Sequence, residues 1–345
     1  MQKPSPRRAV SLSEIADAVG VTEGTASRAL NGYSDIAEST RQKVKDAARD
    51  LNYRPSPTAR RLARGTVETI GYVLPAHGPD ETDPFVSEML NGISLALSDR
   101  DWVLLVTTVE KSGAEVETYE RLANSGKVSG LIVTRTLSED PRVEFLTSSG
   151  LPFVVHGRTA DPEGYAWLDI DNEKAAADAV GHLADLGHQR IALICASPYY
   201  NFSRLRIDGY HHGMARAGLT SRPHYVVETS LSAEGGFAAM RQLIALPDRP
   251  TGVVCVTDLV AIGAMRAARK ANLEVGRDIS VIGYDGLPLG AFTDPPLTTM
   301  TQDVIKTGRR LTEILLEILD GTSPTSFQEI WNARLVRRAS DGPPS

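Results

Sequence analysis

Cysteine is nearly absent: the 345 residues hold two, Cys195 and Cys255. Each sits in an apolar run, "RIALIC" and "TGVVCVTD", which reads as buried strand and not as a disulfide or metal pair. No hydrophobic stretch approaches the roughly 20 residues that a membrane-spanning helix needs. The N-terminus, "MQKPSPRRAVSLSE", is basic but has no apolar segment behind it, so it does not read as a secretory signal. A cytoplasmic, reduced protein without membrane contact is expected. Catalytic signatures are lacking too. There is no Gly-x-Gly-x-x-Gly, no Gly-x-Ser-x-Gly and no His-Glu-x-x-His, and Gly126-Lys127 lacks the rest of a Walker loop. The seven histidines and two cysteines show no metal-ligand spacing. The expectation is therefore no enzyme, no cofactor and no metal.

What is present has an uneven charge distribution. Hydrophobic residues make up 41% and charged residues 23%, and the length suits two or three domains. The net charge is −6, yet residues 1–64 carry 12 basic against 7 acidic residues, while the remainder carries 25 against 36. A basic head on an acidic body suggests that the head alone meets a polyanion. A solvated charged face would give the same balance, so charge by itself decides nothing.

Three short helices are expected in the head. "SLSEIADAVG" places Ser11 three residues before Glu14, the spacing of a capping box, with Leu12, Ile15, Ala16 and Val19 along one stripe and Gly20 as the stop. Thr22 caps a second helix, "EGTASRAL", and Val44, Ala47, Ala48 and Leu51 form one face of a third. Helices joined by a tight glycine turn make a helix-turn-helix. The second helix is small and polar, as one lying in a major groove must be at its N-terminal turn. Gly24 permits close approach, Thr22, Thr25 and Ser27 can bond phosphates or bases, and the Arg28 fork matches guanine O6 and N7. The plain alternative is an exposed amphipathic helix with a costly glycine. Next comes "NYRPSPTARRLARG", a Pro-rich break followed by a two-turn helix with Leu62 as its large apolar residue. So short a helix is marginal alone. It reads either as a linker or as a hinge that orders against a symmetry mate and the DNA minor groove, with Leu62 as wedge.

From Thr69 onward, Val/Ile/Leu runs at 69–75, 102–109, 129–135, 152–157, 190–196, 224–229, 252–258 and 280–286 alternate with helical patterns such as 172–187 and 258–272. This alternation predicts parallel sheets covered on both faces. Two such sets in tandem predict two α/β lobes with a cleft at the carboxyl ends of the strands.

"SLSEIADAVGVTEGTASRALNG", continued by "TRQKVKDAARDLNYRPSPTARRLARG", resembles the head and hinge of the LacI/GalR family of bacterial transcriptional regulators. "DPFVSEMLNGI", "LADLGHQRIALI", "RLRIDGYHHGMARAGL", "TDLVAIGAMRA", "DISVIGYDG" and "PPLTTMTQD" extend the resemblance over nearly the whole chain. It implies an all-α three-helix head at 1–54, a hinge helix at 55–66 and a two-lobed, type I periplasmic-binding-protein-like α/β domain at 67–345. The first lobe would take about 67–167 and 298–325, the second about 168–297 and 326–345, with crossings near 167–170, 295–300 and 323–327. For DNA it puts Glu23, Gly24 and Arg28 at base-reading positions. Ser11, Ser27, Asn31, Thr40 and Tyr53 fall at backbone-contacting or packing positions, with Leu12 beside Ser11, and Ala59 and Leu62 at the minor groove. Ala26 stands where a β-branched residue is usual, and Ala37 where Ser or Thr often caps the third helix.

For a small effector, the resemblance puts Arg206 where the family clamps a hydroxyl or anionic group, a task that suits a planar five-donor fork. Asp285, ending "SVIGYD", can accept paired bonds from vicinal hydroxyls, and Thr257 stands where many relatives carry Asn. Phe85 and the loop "SPYYNFSR", with Tyr199, Tyr200, Asn201 and Phe202, supply aromatic and polar surface, and His156 and Arg158 end "FVVHGR". Packing of the aromatics, or an interlobe ion pair between Arg206 and Asp285, is the plain alternative. The expected function is a homodimeric repressor of carbohydrate genes that binds a near-palindromic double-stranded operator and responds to a sugar-like effector, such as a glucoside or disaccharide. A nucleobase or phosphorylated effector is the alternative, and a transport-type sugar-binding protein is the competing class.

Overall fold

The computed structural model describes residues 10–30, 33, 35–51, 53, 67–74, 83–98, 100–109 and 114–345. The expected hinge helix, with Ala59 and Leu62, and the position Asn31 lie outside the described residues. The chain divides into two compact units, Met1–Val67 and Glu68–Ser345.

In the first unit, α1 (Leu12–Val19) starts at a complete capping box. The Glu14 amide donates to Ser11 Oγ at 3.3 Å, and the Ser11 amide donates to Glu14 Oε2 at 2.6 Å. Such a cap contributes about 1 kcal/mol. Gly20 ends the helix at φ 72°, the left-handed conformation that glycine adopts without a Cβ clash. The Thr25 amide donates to Thr22 Oγ1 at 3.2 Å, which starts α2 (Glu23–Leu30). At α3 (Glu38–Asp50), Ala37 makes no side-chain cap bond. Among the described residues, the core has six buried members, four of them alanine: Ile15, Ala16, Ala26, Ala29, Val44 and Ala48. The small residues of α2 thus serve its inner face, where Ala26 and Ala29 let the helices approach. Leu51, expected on the apolar face of α3, is 42% exposed because the helix has already ended there and the backbone turns.

Among the described residues, the second unit holds two six-stranded sheets. Its strands are β1 (Thr69–Leu74), β2 (Val103–Thr108), β3 (Gly130–Val133), β4 (Phe153–His156), β5 (Ala166–Ile170), β6 (Ile191–Cys195), β7 (Val226–Glu228), β8 (Gly252–Cys255), β9 (Ser280–Asp285), β10 (Thr298–Thr301), β11 (Gln328–Trp331) and β12 (Arg334–Val336). The first sheet runs β11-β5-β4-β3-β1-β2, all parallel. The second runs β12-β10-β9-β8-β6-β7, parallel except for the antiparallel β10–β12 pair. Cys195 and Cys255 are free and buried in β6 and β8.

Helix pairs cover the sheets. The helices Ala233–Ile244 and Asp258–Lys270 approach so closely that a Cβ on Gly236 would land on the Val260 carbonyl, and one on Gly263 on the Ala233 carbonyl. Backbone contact of this kind leaves no room for a side chain.

The lobe boundaries differ from the expected ones. β10, expected at 298 to open the return to the first lobe, pairs with β9 of the second sheet, Thr298 opposite Ile282. β11, expected beyond the last crossing, pairs with β5 of the first, Gln328 opposite Trp167. The chain therefore changes sheets at 171, at 302–303 and at 332–333. The reason is ladder pairing: "TTMT" and "QEIW" lack an apolar run, and their backbone partners decide their place.

Candidate nucleic-acid face and effector cleft

On the head, Ser11, Thr22, Glu23, Gly24 and Arg28 are exposed, while Leu12, Thr25, Ser27, Thr40 and Tyr53 are half-buried. Several of these groups are engaged. The Ser11 hydroxyl sits 2.9 Å from Glu14 Oε2, and the Thr22 and Thr25 hydroxyls bond one another at 2.9 Å. Arg28 pairs with Asp35, and its guanidinium lies 5.5 Å from the Tyr33 ring centroid. Both partners of that ion pair are about half exposed, so it is worth at most about 1 kcal/mol and exchanges readily for a base or phosphate. Behind it, Arg41 donates to the carbonyls of Tyr33 and Ile36 at 2.9 and 3.0 Å, which ties down the turn before α3.

In the body, a cleft of about 760 Å³, open mouth included, lies between the lobes. Its described wall follows the carboxyl ends of the strands: Asp83 and Phe85 after β1, Arg135 and Thr136 after β3, His156 to Arg158 at β4, and Asp169 and Ile170 at β5. The other lobe adds Phe202 and Arg206, Leu231, Thr257 and Leu259, and Asp285 and Leu287 after β6 to β9; Gln302 follows β10. Carboxyl ends of parallel strands are where such sheets leave room for a ligand.

Arg206 is held in place before any ligand arrives. Its Nε donates to Asn172 Oδ1 at 2.9 Å, Nη1 donates to the Val256 carbonyl, and Cζ lies 3.3 Å from the Tyr284 ring centroid. Asp285, at the end of β9, has φ 110°, a strained conformation for a residue with a Cβ. Burial holds its carboxyl well above the usual range although Arg206 is close, and Gln302 Nε2 donates to Oδ1 at 2.9 Å. Burial also raises Asp169 to about 6, against the pull of Arg158, whose Nε lies 3.4 Å away. Arg135 pairs with Asp83. Burial, helped by Arg206, depresses His156 to about 4, so its imidazole is neutral.

Of the residues expected at an effector, Phe85, His156, Arg158, Phe202, Arg206, Thr257 and Asp285 line this cleft together. Thr257 Oγ1 also accepts from the Val260 amide at 3.3 Å as a helix cap, which leaves its proton for donation. Tyr200 and Asn201 are not part of the wall. Tyr200 stacks on Phe202, ring centroids 5.5 Å apart, and packs against the core of the second lobe. Asn201 is buried and joins the lobes: its Nδ2 donates to the Arg158 carbonyl at 2.8 Å and its amide to the Thr136 carbonyl at 3.0 Å. A residue so committed to protein carbonyls has little left for a ligand. The sequence reading missed Asp83, Arg135, Asp169, Asn172 and Gln302. Each lies near the end of a strand or follows one, but Asp169, Asn172 and Gln302 do so on β5 and β10, which have no expected run.

A family model described as bacterial regulatory proteins, lacI family, matches residues 11–56, and one for a periplasmic-binding-protein-like domain matches 180–340. The HTH-type transcriptional regulator AglR of Rhizobium meliloti (strain 1021) is 35% identical over 338 residues, covering 97% of this chain and 95% of AglR. The chain belongs to the LacI family of bacterial regulatory proteins. Among solved structures, the lac repressor dimer bound to operator and the anti-inducer ONPF is 29% identical with a TM-score of 0.83, over 96% of this chain and 99% of that one. A transcriptional regulator CelR–cellobiose complex is 28% identical with a TM-score of 0.73, over 96% and 99%. As a LacI-family member, this chain is a DNA-binding transcriptional regulator with a helix-turn-helix head and a two-lobed α/β body. Its relatives are regulators and not enzymes. Among the described residues, no helix is long and apolar enough to cross a membrane, and no cluster of three or more His, Cys, Asp or Glu is placed to hold a metal.

Proposed function

We propose that this chain is a cytoplasmic, non-catalytic repressor of carbohydrate uptake or catabolism genes, released from its operator by a neutral sugar held between the lobes. The observation that carries this reading is the charge pairing of the cleft. Arg135 faces Asp83, Arg158 faces Asp169, and Arg206 lies beside Asp285. Two of the three guanidinium groups are spent on carboxylates, and the third, Arg206, is already held by Asn172 and the Val256 carbonyl, so the cleft offers a phosphate or carboxylate no open cluster of cations. Phe85 from one lobe and Phe202 from the other offer rings to the C–H faces of a pyranose, while Asp285, Gln302 and Arg206 offer acceptors and donors for hydroxyls. The similar regulator CelR, solved as a complex with cellobiose, supports a sugar as the ligand class.

On the head, Thr22, Glu23, Gly24, Thr25, Ser27 and Arg28 read or touch DNA, with Ser11, Leu12, Thr40 and Tyr53 setting its approach. The operator is a near-palindrome read by a homodimer, as in the operator-bound lac repressor dimer. Two exposed apolar groups on the body support self-association: Leu95 with Val103 and Val106 of the edge strand β2, and Leu289 with Phe292, which is 84% exposed. The test is a melting-temperature screen of mono- and disaccharides, followed by operator binding in their presence. A ligand that binds only the folded state raises its melting temperature. The reading expects a neutral sugar to do so and to weaken operator binding. Stabilisation by sugar phosphates alone would overturn it.

A further inference from the structure

Among the described residues, four buried side-chain polar atoms have no hydrogen-bond partner, and two of them, His156 Nε2 and Gln302 Oε1, belong to residues of this one cleft. A buried polar atom left unpaired costs about 1–3 kcal/mol, so the protein carries a penalty there that a ligand can remove. His156 has no structural use for that nitrogen. Its backbone is fixed instead: the Thr136 hydroxyl donates to the His156 carbonyl at 2.9 Å, and the next residue, Gly157, donates to the Leu168 carbonyl at 2.8 Å. The imidazole lies 5.5 Å from the Phe85 ring, tilted by 39°, on the wall of the first lobe.

We propose that His156 is a specificity-determining residue of the cleft, its Nε2 kept for one hydroxyl of the bound sugar while the adjoining Phe85 ring covers the sugar's apolar face. This rests on the neutral-sugar reading above and deepens it. The neutral imidazole either accepts from or donates to the hydroxyl, whichever tautomer the ligand selects. Gln302 Oε1 is an acceptor only, so the same ligand must present a donor to it. A hydroxyl satisfies both demands. A group that only accepts can satisfy the His156 nitrogen but not Gln302 Oε1.

The test is calorimetric titration of the full-length wild type, His156→Leu and His156→Gln with methyl α-D-glucopyranoside, methyl β-D-glucopyranoside, sucrose, melibiose and cellobiose. Monodeoxy analogues of the sugar that binds follow, and the melting temperature of each ligand-free protein is recorded. Leucine removes the unpaired atom, so ligand-free H156L melts at or above the wild-type temperature while its sugar affinity falls about tenfold. Glutamine places an amide near the imidazole Nε2, so H156Q keeps affinity within about threefold. One monodeoxy sugar loses about tenfold on wild type and no further affinity on H156L, since the partner is already gone. Equal sugar affinity of wild type and H156L overturns the assignment and leaves the sugar reading standing. So does a fall in ligand-free melting temperature in both variants, which marks a structural histidine. Failure of every sugar to bind wild type overturns both.

Discussion

Arg28 on the head and Arg158 in the body are each paired with an aspartate, yet the two pairs do opposite things. The Arg28–Asp35 pair is half exposed on both sides, whereas Asp169, facing Arg158, is 4% exposed and titrates near 6. An exposed pair is screened and cheap to exchange; a buried one is costly to leave with a single member. The head thus keeps its arginine available to a polyanion. In the cleft, Arg135 and Arg158 are paired with carboxyls and Arg206 is held by Asn172 and the Val256 carbonyl, which on the proposed reading leaves neutral hydrogen bonding for a ligand. On that reading, similar residue chemistry serves two kinds of partner because burial differs.

The sharpest way to break that comparison is Arg206→Ala. Losing a buried guanidinium held by Asn172 and the Val256 carbonyl beside Asp285 lowers sugar affinity by about a hundredfold or more. Operator affinity in the absence of sugar, read by fluorescence anisotropy, stays within about twofold. A persisting sugar response means that the cleft is not the effector site. Next in size, Ile15→Ala removes the largest of the fully buried side chains described in the head's core and costs the head about 2–5 kcal/mol. Head melting falls while the body transition is unmoved, provided the two units melt independently; a joint shift in calorimetry would show that they do not.

Arg28→Ala lowers operator affinity by about 1–3 kcal/mol, with the loss confined to one base pair per half-site. Loss spread evenly over sequence changes would reduce Arg28 to a phosphate contact. Asp35→Asn has a smaller effect of the opposite sign: freeing Arg28 strengthens operator binding by up to about 1 kcal/mol. The smallest effect concerns pH. Asp169 binds its proton more tightly folded than unfolded, so its contribution is complete below its unfolded value of 3.8 and is lost as pH rises through about 6. Asp169→Asn keeps an acceptor for the Ile170 amide and has no such loss. Its melting temperature relative to wild type is therefore higher at pH 7 than at pH 5.

The capping box, the glycine stop and the eight apolar strands were legible because each has a local cause: a side-chain bond, a positive φ or a run of Val, Ile and Leu. β5, β10, β11 and β12 were not, since "TTMT" or "RLV" becomes strand only through its ladder partner. The lobe boundaries went astray for that reason. The seven cleft residues foreseen sit at or just beyond strand ends, or on a family landmark. Tyr200 and Asn201 share the loop of Phe202, but chain proximity does not reveal which side chain turns inward. Asp169 and Gln302 were hidden because their roles depend on the partners Arg158 and Asp285, remote in sequence.

The measurement that bears most directly on the whole account is reciprocal linkage between the head's ligand and the cleft's. A selected operator duplex is titrated with and without saturating sugar, and the sugar is titrated with and without saturating operator. Linkage requires the two affinity ratios to be equal, and the account predicts that both exceed about fivefold, with each ligand weakening the other. A sugar that binds the cleft tightly and leaves operator affinity unchanged would contradict it.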